Sequence, residues 1–365
     1  MNRSLAAMSA ASTFPSIPTA VIGASGYSGE VLMRLLIGHP AADVVCVTSR
    51  QHAGKPIDEI FPRFCGASKV SGLNFSDATV DAVVSARATC AFLALPHGVA
   101  AEFAEPLVAQ GIRVIDLSAD FRLRDPAVYE DFYGHVHPAP ELLAQAVYGL
   151  PEWRSAEIRS AQLVASPGCY PTSILLPLLP LLKARLVDPE SIAVSSMSGA
   201  SGAGKKADTA LLFAEVNESL RAYGAPKHRH LSEIEQELSF AAALPVRISF
   251  VPHLLPVTAG IASTIFCEPS TGVSMDRLAD EVNHVLRDAY SQAPFVRLRG
   301  LGGFPDTKHV VGTNFIDIGW VLDNRTGRLI LMSAEDNLGK GAASQAVQSY
   351  NLMHALPETT GLMNF

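Results

Sequence analysis

A chain of 365 residues, 48% hydrophobic and 17% charged, is long enough for two cores and too apolar for a disordered polymer. Its formal net charge of −7 argues against a nucleic-acid binder, which needs a basic face to neutralise phosphates. No stretch approaches the ~18 to 20 uninterrupted apolar residues of a membrane span, and five cysteines without paired short spacing suit neither a disulfide framework nor a zinc site.

In chain order, residues 1–18 read as a flexible leader. Arg3, abundant Ser and Ala and the lack of acid give it a faint organelle-import character, the lesser reading beside a cytoplasmic protein. Residues 19–23 form a short apolar strand running into Gly23-Ala-Ser-Gly26-Tyr-Ser-Gly29, and residues 30–37 a helix with Val31, Leu32, Leu35 and Leu36 on its buried side. His39-Pro40 ends that helix and residues 43–48 make a second strand, completing a βαβ unit. Strands at 91–95 and 114–117 flank a helix at 99–110, the alternation of a parallel, doubly wound α/β sheet. After about residue 166 the texture changes. A buried helix at 174–182 is followed by a strand at 193–197, a glycine loop at 198–206 and a helix at 231–238. Strands at 247–251, 260–267, 315–321 and 329–334 then precede a closing helix at 342–356. Fewer crossover helices between strands predict an α+β second domain.

Three features carry chemistry. Gly23, Gly26 and Gly29 sit after a strand and open a helix, where glycines let a pyrophosphate approach backbone N–H groups; the plain alternative is an ordinary tight turn. The second strand ends in Ser49-Arg50 rather than in an acid. Arg accommodates the 2′-phosphate of NADP where Asp or Glu would bind the NAD ribose. Cys169 lies in Ser166-Pro-Gly-Cys-Tyr-Pro-Thr172, just before an apolar helix whose dipole should lower the thiol pKa and favour a nucleophilic thiolate. Cys46, Cys90 and Cys267, in strand-like runs, read as small buried hydrophobes. His228-Arg229-His230 precedes a helix containing Glu233, which could support an imidazolium in general acid/base work. His97 and His253 compete for that role. Two imidazoles without a third clustered ligand predict no metal site.

The segments GASGYSG at 23–29, SPGCYPT at 166–172, SGASGAGK at 198–205 and KHRHLSEI at 227–234 together resemble the N-acetyl-γ-glutamyl-phosphate reductases. These are NADPH-dependent semialdehyde dehydrogenases of arginine biosynthesis. Related blocks stand at 116–122, 148–152 and 337–342, and the resemblance runs from about Thr19 to the C-terminus. It implies a Rossmann-like NADP-binding domain at 19–165, completed by the C-terminal helix 338–365, and an α+β catalytic and dimerisation domain at 166–337. It implies Cys169 as nucleophile, His228 as acid/base, and a homodimer or homotetramer. NADP(H) would contact Gly23, Ser25, Gly26, Tyr27, Ser28 and Gly29, then Ser49, Arg50, Pro96, Ser201, Gly202, Gly204 and Asn337. Arg122, Lys205, His230 and Glu233 are the candidates for the acyl-phosphate substrate. A competing reading reduces the one-carbon-longer N-acetyl-aminoadipyl phosphate or a carrier-protein-linked analogue; the latter calls for a basic docking patch, and no strong one stands out. A non-catalytic NADPH-binding regulator would keep the glycine turn, yet have no reason to place Cys169 at a helix start.

Overall fold

Each apolar run of the first half is followed by a crossover, so the strands align in parallel rather than as hairpins. In the computed structural model, which describes residues 14–205 and 207–363, β1 (Ile17–Ile22), β2 (Ala42–Thr48), β3 (Cys90–Leu93), β4 (Arg113–Asp116), β5 (Val147–Tyr148) and β6 (Leu163–Ala165) form one sheet. The order is β2-β1-β3-β4-β6-β5 and every pair is parallel. Chain direction across the sheet reverses between β1 and β3, the switch point outside which α/β folds bind ligands. Most of the expected leader lies outside the described residues. Ile17 and Pro18 belong to the sheet instead, with Ile17 paired to Ala42. The helix Tyr27–Gly38 starts directly after Gly26, three residues earlier than expected, because the glycine turn is its N-terminus.

The C-terminal helix Ser344–Met353 packs into this half. Val347 and Tyr350 share a core with Leu32, Leu36 and Phe92. The Tyr350 hydroxyl lies 3.1 Å from Thr19 Oγ1, and His39 Nε2 lies 2.9 Å from Asn351 Oδ1. Lys340, wholly buried, donates to Glu152 Oε1 at 2.6 Å and to Gln348 Oε1 at 2.8 Å. A buried pair of this kind needs such additional hydrogen bonds to offset its desolvation.

The second half is built on β7 (Ala193–Gly199), β8 (Arg221–Ala222), β9 (Ser249–Leu255), β10 (Ile261–Cys267), β11 (Val296–Leu301), β12 (Ile316–Asp323) and β13 (Arg328–Glu335). They form a mixed sheet ordered β11-β12-β13-β10-β7-β9-β8. The helix Cys169–Lys183 is buried from Tyr170 to Leu182, as an all-round apolar helix must be. It begins five residues before the expected start. Pro171 is tolerated in the first turn, but Pro177 and Pro180 each deprive a carbonyl four residues earlier of its donor. Both orphans are satisfied from outside. Ser333 Oγ donates to the Ser173 carbonyl at 2.6 Å, and the Tyr290 hydroxyl donates to that of Leu176.

Candidate active site

All the residues expected at the nucleotide line one cavity of about 520 Å³, which opens at the β1/β3 switch point and reaches Cys169. The three glycines serve different ends. Gly23 has φ +82° and a Cβ there would stand 2.7 Å from the Ala94 carbonyl oxygen. A Cβ on Gly29 would stand 2.5 Å from that of Ala24, so this glycine lets the helix close on the turn. Gly26 has nothing within 4 Å of its Cβ position, leaving open space over a helix N-terminus. Asn337 Nδ2 donates to Ser201 Oγ at 3.0 Å while its Oδ1 accepts from Gly260 N–H at 2.7 Å, tying the 198–204 loop to the end of β13. The cradle fits a dinucleotide, and exposed Arg50 at the end of β2 fits a 2′-phosphate.

Arg50→Ala should erode the preference for NADPH over NADH by about ten- to a hundredfold, the worth of one charge-assisted bond to phosphate. The change should appear in KM for NADPH rather than in kcat. An unaltered ratio would make Arg50 a solvated loop charge.

Cys169 is the first residue of its helix and Gly168 its N-cap. The turn before it is held from three sides. Gly168 N–H donates to Glu233 Oε1 at 2.9 Å, and the Tyr148 hydroxyl donates to the same oxygen at 2.7 Å. Arg122 Nε donates to the Ser166 carbonyl at 2.8 Å, and its Nη1 lies 3.4 Å from Glu233 Oε2. Glu233 therefore serves Arg122 and the cysteine turn, not an imidazolium as expected, and it lines neither active-site cavity. The sequence of the 148–152 block gives no sign that Tyr148 is the partner of Glu233. Lys205 lies at the nucleotide end of the cavity, 3.4 Å from Glu30 and over the Tyr27 ring.

The expected low pKa at Cys169 is not what the site produces. Burial first, then Glu335, push the thiol up to about 12, against smaller opposing effects of Arg122 and the Tyr170 N–H. Burial also holds Glu335, whose carboxyl oxygens have no hydrogen-bond partner, well above the usual carboxylate range. Desolvation of the thiol is the larger of the two causes. A helix end cannot offset that much lost hydration.

A second cavity of about 300 Å³ adjoins Cys169 and is lined by Arg122, His228, Arg229, His230 and His97. His228 caps its own helix, accepting the His230 N–H on Nδ1 at 3.1 Å. The two rings meet edge to face with centroids 5.0 Å apart. Burial, aided by Arg229, lowers His228 to about 4; burial, His228 and two arginines hold His230 well below the usual imidazole range. Both rings are thus neutral near pH 7. A Cβ on Gly168 would stand 2.6 Å from His230 Nε2, so His230 reaches the cysteine turn directly. His253 lines neither cavity.

A dinucleotide cradle opening onto a helix-start cysteine, joined to a mixed-sheet domain, defines a dehydrogenase of semialdehyde type, and the chain belongs to the semialdehyde dehydrogenase family. The family's NAD binding domain matches residues 18–161 and its dimerisation domain residues 169–337. Among relatives, the N-acetyl-gamma-glutamyl-phosphate reductase of Akkermansia muciniphila is 57% identical over 95% of this chain and 98% of its own length. The enzyme of that name from Geobacter metallireducens is 49% identical over 94% of this chain and 97% of its own. Of solved structures, aspartate semialdehyde dehydrogenase II from Vibrio cholerae superposes with a TM-score of 0.68 at 20% identity, covering 93% of this chain and 98% of that one. Aspartate semialdehyde dehydrogenase with NADP from Candida albicans gives 0.66 at 14% identity, covering 93% and 99%. These two share the fold.

Proposed function

We propose that this chain reduces N-acetyl-γ-glutamyl phosphate to N-acetyl-glutamate semialdehyde with NADPH, releasing phosphate. The observation that carries the reading is the continuity of the site: one cavity runs from the glycine turn to Cys169. The relatives' shared name supplies the acyl chain.

Cys169 Sγ attacks the acyl carbon as its proton passes to neutral His230, which returns it to the sulfur when the aldehyde leaves. The carbon–sulfur bond forms, the carbon–oxygen bond to phosphate breaks, and a thioester remains. NADPH, when bound, supplies the hydride that this thioester carbon requires. Gly23, Ser25, Gly26, Tyr27, Ser28, Gly29, Ser49, Arg50, Pro96, Ser201, Gly202, Gly204 and Asn337, which line the cavity, would hold it. With Nδ1 accepting the cap bond, neutral His228 carries its proton on Nε2. It presents that N–H to the developing oxyanion, then helps the aldehyde form as the carbon–sulfur bond breaks. Arg122 stands beside the cysteine turn to attract the phosphoryl group. The match to a dimerisation domain supports a homodimer or homotetramer. All five cysteines are free of disulfides, which suits a cytoplasmic enzyme. Among the described residues, no helix is long and apolar enough to cross a membrane.

Steady-state turnover with NADPH tests the reading. N-acetyl-γ-glutamyl phosphate should exceed the one-carbon-longer N-acetyl-aminoadipyl phosphate in kcat/KM by at least about tenfold, the usual discrimination for one methylene. The reverse order would transfer the enzyme to the longer substrate.

A further inference from the structure

Two guanidinium groups line the smaller cavity, and they are not equivalent. Arg122 faces Glu233 at 3.4 Å and also donates to the Ser166 and Leu117 carbonyls at 2.8 and 3.1 Å. Arg229 has no such counter-charge. No ion pair joins it to a carboxylate among the described residues, and its Nη1 lies 2.9 Å from His97 Nε2. It is also the first residue of the 14-residue helix Arg229–Ala242, whose first turn contains no acid. A cation on the positive end of a helix dipole is unfavourable in isolation. Burial lowers His97, His228 and His230, and the Arg229 charge adds to that in each. An exposed guanidinium without a counter-charge, over a helix start, suits an anion.

We infer that Arg229, with His97 beside it, binds the α-carboxylate of the substrate. The inference rests on the function proposed above. With the acyl phosphate held at Cys169 and Arg122, the carboxylate is the substrate's other anion, a few bonds from the reacting carbon. The planar guanidinium fork matches a carboxylate in a way that an ammonium does not. His97 leaves the end of β3 in the first half and Arg229 comes from the second, so the bound carboxylate touches both domains. Neither group meets the reacting atoms; the role is specificity.

The reverse reaction tests this, with N-acetyl-glutamate semialdehyde, phosphate and NADP⁺ giving acyl phosphate, NADPH and a proton. The wild-type protein should prefer the semialdehyde over its α-carboxamide by about ten- to a hundredfold in kcat/KM. In Arg229→Met that ratio should fall toward one through KM for the semialdehyde, with KM for NADP⁺ and phosphate unchanged. Arg229→Lys should retain part of the preference, and covers the case in which the Met variant does not fold. Wild-type discrimination in Arg229→Met, or in Arg229→Lys should the Met variant not fold, overturns the inference. Wild-type protein that turns over neither semialdehyde overturns instead the functional reading on which it rests.

Discussion

Cys169→Ala is expected to abolish turnover, by on the order of 10⁴ to 10⁶ in kcat, while NADPH binding stays close to wild type. No other thiol can replace it. Cys46, Cys90 and Cys267 are buried elsewhere, and Cys65 lines neither active-site cavity. The cavity residues proposed to hold the nucleotide lie mostly on the β1 turn, the end of β2 and the 198–204 loop, which a methyl in place of the thiol leaves alone. Turnover within tenfold of wild type would end the covalent mechanism. The same residue makes a second test available in the resting enzyme. Because burial pushes its thiol up to about 12, Cys169 should react with iodoacetamide at pH 7 no faster than exposed Cys65. Labelling of Cys169 should keep rising well above pH 9. Fast labelling near neutrality would restore the preformed thiolate that the helix position alone suggests.

His228→Asn should lower kcat by at least about a hundredfold, the ordinary worth of a positioned proton donor. The loss should be uniform between pH 6 and 8. A ring lowered to about 4 charges only in acid, so no His228 limb lies near 6.5, where an unperturbed imidazole would place one. His230 is the control, being the ring that reaches the cysteine turn. A larger loss in His230→Asn than in His228→Asn exchanges their roles. The same burial bears on folding. The unfolded chain protonates His228 near 6.5 and the native state only near 4, so the unfolded state binds more protons between them. Stability is lost as pH falls through that window.

Much of this architecture is legible in the residues because the period of the apolar positions survives in the final packing. The runs that became β1 to β4, β7, β10, β12 and β13 lie within two residues of their expected bounds. Where the reading missed, charge masked the period. The helix Met275–Tyr290 buries Leu278, Val282, Leu286 and Tyr290 at strict four-residue spacing, yet Asp, Glu and Arg fill the positions between. Edge strand β11, Val-Arg-Leu-Arg-Gly-Leu, carries arginines of the kind that guard a sheet edge. At the site, motif residues could be named from their pattern and the family resemblance, whereas their ionisation could not. Cys169 and Glu233 both depend on what the fold stacks around them, and desolvation leaves no mark on a sequence.

The C-terminal helix inside the first core separates the order of synthesis from the order of assembly. Thr19 meets Tyr350 across 331 residues, and His39 meets Asn351 across 312. The nucleotide half is translated first, but its apolar face on the helix Tyr27–Gly38 stays uncovered until the last segment emerges. The second half, by contrast, draws its sheet from residues 193–335 and has its strands in hand earlier. Such distant closure is entropically costly and slow. During that interval the exposed first half is the part of the nascent chain most in need of a chaperone.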